Sequence, residues 1–425
     1  MTPATVQCLF FIFLVPLASA GLTLINTGLG RSRSAAHAML ASLCVMAVAA
    51  IAYTLCGFAW QGFAGGAAHS LGVAGKAWNW IAAEPLFLRG RPLDGSPASL
   101  AVLLQILSVG LAALIPLGSG ADRWRLGASC ASAALLAGCT YPLFAHWVWG
   151  GGWLAQLGAN YGLGHGFLDA GGASCIQSVG GLTALSVAWI LGPRRGKYPS
   201  QGMPAAIPGH DAVVVLFACF LTWLGWLGLN AAGAMLFAGA EPGRAVLIAT
   251  NTTLSAAASL LTTATITGVR FGRPDASLCA NGWVGGLVAS SAACAFVAPG
   301  AAIAIGLVAG VLVTFTVGYI EWPLAIDDPG GAISVHAASG FWGVLALGIF
   351  ARFADGASGQ WLAQLVGIAT LIGFVLPLTY ALNWLLDRLY PQRVAPEGER
   401  QGMDLYELGA GAYPDFVTHG EEFLQ

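Results

Sequence analysis

Eleven stretches of roughly twenty or more mainly apolar residues run along this chain, with only short polar breaks between most of them. They cover residues 5–28, 36–62, 97–119, 124–149, 173–193, 211–232, 244–269, 277–297, 299–320, 332–353 and 360–386. A helix needs about 20 such residues to cross the hydrocarbon core of a bilayer. No water is available there, so each crossing segment must satisfy its own backbone groups, which favours helices. The expected fold is therefore an all-α polytopic membrane protein with eleven transmembrane helices. Charged residues make up 8% of the chain, against roughly 25% in soluble domains. That excludes a soluble enzyme, and a net charge of −2 gives nucleic acid nothing to bind. The nine cysteines all fall inside apolar runs and read as small buried hydrophobes, not as a disulfide framework.

The loops test this count, because cytoplasmic loops collect Lys and Arg. Arg31, Arg33, Arg123, Arg125, Arg194, Arg195, Lys197, Arg270, Arg273, Arg388, Arg393 and Arg400 fall on one side, twelve of the 17 bases. Lys76, Arg89, Arg91, Arg244 and Arg352 fall on the other. The alternation puts the N-terminus outside and the C-terminus in the cytoplasm. Ala18-Ser19-Ala20 resembles a signal-peptidase site. Residues 2–7 carry no base, however, and the apolar run continues past Gly21, so the first helix is expected to be retained. Residues 1–386 form the membrane domain. Residues 387–425 form an acidic tail with Glu397, Glu399, Asp404, Glu407, Asp415, Glu421 and Glu422.

One pattern occurs twice. Asp169-Ala-Gly-Gly-Ala with Gln177 and Gly181 matches Asp328-Pro-Gly-Gly-Ala with His336 and Gly340. The two acids fall on opposite faces of the membrane. The chain is thus expected to hold two inverted five-helix repeats, about 5–193 and 211–353, with 360–386 as a final helix. Asn26 and Asn230 are a fainter match at the starts of the two halves. Inverted repeats are typical of transporters, whose sites lie near the midplane at the repeat interface.

Several side chains near that interface carry chemistry. Trp149 heads its outer side, and an indole face attracts a cation by about 0.5–2 kcal/mol. Its plainer reading is a Trp of the interfacial belt. Asp169 is an acid at the end of an apolar helix, where charge is costly and usually functional. It can cap the helix or raise the local cation potential, and Asp328 is its counterpart inside. His336 is a lone imidazole in an Ala/Gly/Ser setting, either a packed core residue or a group able to exchange protons. Gln177 offers a donor and an acceptor but no titration near neutral pH.

These residues resemble the ammonium transporter (Amt/Mep/Rh) family. The likeness rests on Asp169, Gly172, Ile176, Gly180, Gly181, Ala184, Gly192 and Arg194 of the fifth helix, and on Tyr141-Pro142 through Trp149-Gly-Gly-Gly152. Gly225-Trp226 with Asn230, Asp327-Asp328-Pro329 with His336, and the tail from Arg393 to Asp404 extend it over nearly the whole chain. The resemblance implies one pore per subunit, a homotrimer in the plasma (bacterial inner) membrane, and no cofactor. It implies ammonium recruitment at Trp149 and Asp169, with a pore lined by His336 and Gln177. Gln105 matches the family, while Asn230 and Asp328 are supporting positions. PII-type signalling proteins are the partners the resemblance suggests for the cytoplasmic face; a solvated acidic tail is the plainer reading.

The departures are as informative. Gln177 replaces one of the family's two pore histidines, so a relay through both is not available. Ser108 and Leu229 replace the two gate phenylalanines, Gly233 replaces the serine of the recruitment site, and Ala170 replaces an aromatic. These changes predict a mouth more open and more polar than usual. Two other readings stay open: an ammonium sensor or transceptor with little conduction, and a channel for another small solute such as methylammonium or carbon dioxide.

Overall fold

The computed structural model describes residues 2–200, 203–353 and 356–413. Asp415, Glu421 and Glu422 of the tail lie outside these. Ten helices among the described residues are long and apolar enough to cross a membrane. They are α1 (Pro3–Leu29), α2 (Ser32–Gln61), α3 (Pro97–Gly120), α4 (Leu126–Val148), α5 (Ala173–Leu191), α6 (Ala212–Phe237), α7 (Pro242–Phe271), α9 (Pro299–Glu321), α10 (Ile333–Phe350) and α11 (Gln360–Leu389).

The eighth apolar run folds as α8 (Ala276–Ser291), only 16 residues and about 24 Å long at 1.5 Å per residue. By length alone the count of crossing helices is therefore ten. α8 stops six residues before its apolar run does, and the cause is a contact distant in sequence. The carbonyls of Ser291 and Ala292 accept from the backbone N–H groups of Gly171 and Ala170 at 2.8 and 3.2 Å. The chain then turns, with Ala293 N–H donating to Ser290 O and Phe296 N–H to Ala293 O.

Helix starts follow from the sequence. Thr2 and Ser96 cap α1 and α3 through their hydroxyls, each followed by proline at the first helical position. Asp211 and Asp275 cap α6 and α8, accepting from Val214 N–H at 2.9 Å and Leu278 N–H at 2.8 Å. Each such cap is worth about 1 kcal/mol. Glycine sets how closely helices meet. A Cβ on Gly225 of α6 would lie 2.0 Å from Ala18 N of α1, and one on Gly21 of α1 would lie 2.6 Å from Thr222 of α6. α1 and α6 thus pack backbone to backbone, as small residues allow in lipid.

The all-α expectation has one exception in the long outer loop. Ala68–Val73 (β1) and Lys76–Ala82 (β2) form an antiparallel hairpin. Its two-residue turn, Ala74-Gly75, has positive φ at both positions (50° and 73°), the geometry that matches strand twist in a tight hairpin.

Candidate functional site

α5 and α10 are built alike from their first residues. Asp169 Oδ1 accepts from the N–H groups of Gly172 and Ala173 at 2.8 and 2.9 Å. Its Oδ2 accepts from Ser174 N–H, Ser174 Oγ–H and Cys175 N–H at 2.7, 2.5 and 3.2 Å. These are the donors that every helix start leaves unpaired. At the other end of the molecule, Asp328 Oδ1 accepts from Ala332 N–H at 3.0 Å and Ser119 Oγ–H at 2.6 Å, and Oδ2 from Ile333 N–H at 2.8 Å. Each acid is therefore spent on organising a helix start.

Beyond each acid comes a π-helical turn, Ala173–Ser178 in α5 and Ile333–Ala338 in α10. Such wide turns are rare and cluster at functional sites. Here each presents the residue eight places beyond its acid. Gln177 and His336 meet where the two helices cross, with His336 Nδ1 2.7 Å from Gln177 Oε1. A carboxamide oxygen only accepts, so Nδ1 carries the hydrogen and Nε2 is left as an acceptor. Both side chains are buried, and Gln177 Nε2 has no hydrogen-bond partner among the described residues. The crossing is tight because the matching glycines permit it. A Cβ on Gly181 would lie 2.4 Å from Ala337 N, and one on Gly340 would lie 2.4 Å from Ser178 Oγ.

The remaining predicted positions lie around this crossing. Tyr141 Oη–H donates to Gln105 Oε1, and Gln105 Nε2 is buried without a partner among the described residues. Ser108 and Leu229 are both buried. Asn230 Nδ2 donates to Thr252 Oγ1 at 2.9 Å, while its Oδ1 faces Gly171 and is unpartnered among the described residues.

Trp149 is covered where an open position was expected. Trp149 is 5% exposed. Its indole N–H donates to the backbone oxygen of Asp169 at 2.7 Å. Its face is covered by the ring of Phe237, with centroids 4.4 Å apart and planes 13° from parallel. Gly233 also has a steric reason. A Cβ there would lie 2.4 Å from Ala170 O, so the segment carrying Ala170 fills the room a serine would need.

A family model described as Ammonium Transporter Family matches residues 6–413. The chain belongs to the ammonium transporter family. Its members are transporters and not enzymes, and the chain is accordingly a multi-pass membrane protein. Ammonium transporter Amt2 of Archaeoglobus fulgidus is 36% identical over 95% of this chain and 87% of its own. An ammonium transporter of Bacillus subtilis is 30% identical over 97% and 98%. A solved structure named Sensor Amt Protein is 28% identical with a TM-score of 0.85, aligned over 95% of this chain and 98% of that one. Mep2 from Candida albicans, 24% identical with a TM-score of 0.77 over 93% and 86%, shares the fold.

Below the crossing of this transporter lies a cavity of about 340 Å³, bordered by Arg194, Lys197, Asn281, Asp327, Asp328 and Ser334 among others. Ser334 stands two residues before His336, and its hydroxyl is buried without a partner among the described residues. The rim is a charge network that the loop-charge reading did not resolve, because it treated these bases only as markers of sidedness. Arg194 grips Asp327 with Nε and Nη2 at 2.9 and 3.0 Å and reaches Asp122 with Nη1 at 3.2 Å. Arg31 reaches Asp122 at 3.3 Å. Arg123, fully buried, donates to the carbonyls of Gly192 and Asp327 at 2.7 and 2.9 Å. Burial pushes the Asp327 carboxyl up, but the Arg194 hydrogen bonds and the charges of Arg123 and Arg194 outweigh it and hold it below the usual range.

The described part of the tail is docked, not solvated. Glu399 accepts from Arg195 N–H at 2.6 Å and from Arg393 Nη2 at 2.9 Å. Asp404 accepts from His37 N–H at 2.7 Å, and Glu407 lies 2.9 Å from His37 Nε2. Phe237 and Ser334 are the two positions that sequence reasoning passed over. Phe237 lies one helical turn beyond Gly233, a spacing that could have suggested a shared face.

Proposed function

We propose that this chain recruits ammonium at its outer face, releases its proton to the outer solution and moves the ammonia across the membrane. The recruiting group is the indole of Trp149, oriented by the Asp169 carbonyl; Asp169 itself builds the start of α5 and touches no substrate. A bare ammonium at the bilayer centre costs at least about 2.5–3.5 kcal/mol. A narrow path between buried helices therefore favours the neutral base. Ammonia needs one donor for its lone pair and one acceptor for an N–H. The observation that carries this reading is that the Gln177–His336 pair leaves one of each: the amide N–H of Gln177 and Nε2 of His336. The path continues past Ser334 to the inner cavity.

The same reading takes residues 1–386 as the membrane domain, with α8 as the eleventh crossing helix and two inverted repeats. The paired acid caps and the reciprocal glycine contacts of α5 and α10 support that symmetry. It further places the chain in the bacterial inner membrane as a homotrimer, N-terminus outside. The tail, residues 387–425, then lies in the cytoplasm, where a PII-type protein is the proposed partner.

A second reading has two observations in its favour. A sensing or transceptor role is supported by the likeness to the structure named Sensor Amt Protein and by the covered face of Trp149. Flux separates the two. In proteoliposomes loaded with a pH dye, an inward ammonium gradient should alkalinise the lumen faster than in empty vesicles. Ammonium binding without any flux would favour the sensor.

A further inference from the structure

Ser108 and Leu229 leave the positions of the two expected aromatic gates without an aromatic, yet the mouth is covered. The cover is Phe237, the last residue of α6. Its ring lies flat on Trp149 with centroids 4.4 Å apart. Rings at that spacing touch, leaving nothing between them. An ammonium held by an indole sits over the ring face within about 6 Å of its centroid. Phe237 and the cation therefore compete for one surface.

Of the two rings only Phe237 is placed to move. Trp149 is buried and its indole N–H is held by Asp169 O at 2.7 Å. Phe237 is half-buried and followed by Ala238 and Gly239, where the helix ends. Gly239 has φ +63°, and a Cβ on it would meet nothing within 4 Å. The segment Ala238–Glu241 borders an outward cavity of about 290 Å³ shared with Arg244 and Phe296. A hinge and free space thus lie directly beside the ring.

We propose that Phe237 is the outer gate of this transporter: it rests on the receiving face of Trp149 and swings off, about Ala238-Gly239, when ammonium takes its place. The gate rests on the recruitment role given to Trp149 above. Every recruited ammonium must first displace an aromatic stack, so the gate lowers apparent affinity. A stacked aromatic pair is worth roughly a two- to tenfold factor in an equilibrium.

The test uses the full-length protein in proteoliposomes and reads the half-saturating ammonium concentration for lumenal alkalinisation. Phe237→Ala should lower it roughly two- to tenfold. Phe237→Tyr, which keeps the stack, should return it to the parent value. In a Trp149→Leu background, Phe237→Ala should have no effect. If Phe237→Ala fails to reach the membrane, Phe237→Leu keeps most of the volume without the stack and should shift the value in the same direction. A half-saturation that is unchanged or raised in Phe237→Ala, while Trp149→Leu raises it, would overturn the gate and leave the recruitment reading standing. An unchanged value in Trp149→Leu would remove both.

Discussion

His336 and Gln177 lie 159 residues apart in the chain and 2.7 Å apart in space, ring Nδ1 to amide oxygen. The bond fixes the imidazole tautomer and leaves its Nε2 as an acceptor. It also means that of the two groups at the crossing only one can carry a proton.

The first prediction follows from that asymmetry. Gln177→His should add a second titratable ring at the crossing and raise the charge carried per ammonia, bringing the chain to the behaviour expected of the family. The quantity to measure is the ratio of current to lumenal alkalinisation in the same vesicles. An unchanged ratio would count against this account of the crossing.

Trp149→Leu should weaken recruitment and spare the path below it. Losing a cation–π contact of about 0.5–2 kcal/mol should raise the half-saturating ammonium concentration roughly two- to thirtyfold. The maximal rate of lumenal alkalinisation should stay within about twofold. A half-saturation that did not move would assign Trp149 to the interfacial belt.

Gly233→Ser restores the residue that the resemblance expects, and it should nonetheless harm the protein. Its Cβ would meet Ala170 O at 2.4 Å, and overpacking of this kind costs about 1–3 kcal/mol. The thermal midpoint in detergent should fall. An unchanged midpoint with tighter ammonium affinity would show that the segment around Ala170 yields easily.

The Arg–Asp charge network should be sensitive to acid. Its Asp327 carboxyl is held below the usual range by Arg194 and Arg123. A depressed carboxylate stabilises the fold above its unfolded value, and that stability is lost as pH falls through the folded value. The contribution should thus be complete at neutral pH and fade below about pH 4. Asp327→Asn takes from buried Arg194 the closer of its two carboxylates, leaving only Asp122 at 3.2 Å, and should cost up to about 3–5 kcal/mol. Detergent half-lives measured from pH 7 to pH 3 should fall more steeply for the parent than for the variant. Parallel curves would contradict this.

Much of the architecture was legible because it follows from local rules. Apolar runs placed the helices to within a few residues of the starts that the caps Ser96 and Asp211 give them in the structure. The doubled Asp-to-Gly pattern located the crossing, since a cap and a close approach each demand a particular residue type. The end of α8 was not legible, because its last carbonyls are taken by Ala170 and Gly171, more than a hundred residues earlier. Phe237 was missed for the same kind of reason: its partner, Trp149, is distant in sequence, and an aromatic near a helix end looks like any membrane-interface residue. The Arg–Asp network was hidden behind the rule that explained its arginines as topology signals.

The central claim is selective ammonium-driven transport through this fold. It is tested most directly by recording lumenal alkalinisation and current from proteoliposomes of the full-length protein during equal concentration jumps of ammonium and of potassium. Passage of the neutral base predicts a saturable alkalinisation with ammonium and no current above empty vesicles with potassium. A potassium current above that of empty vesicles, or ammonium alkalinisation no faster than in them, would contradict it.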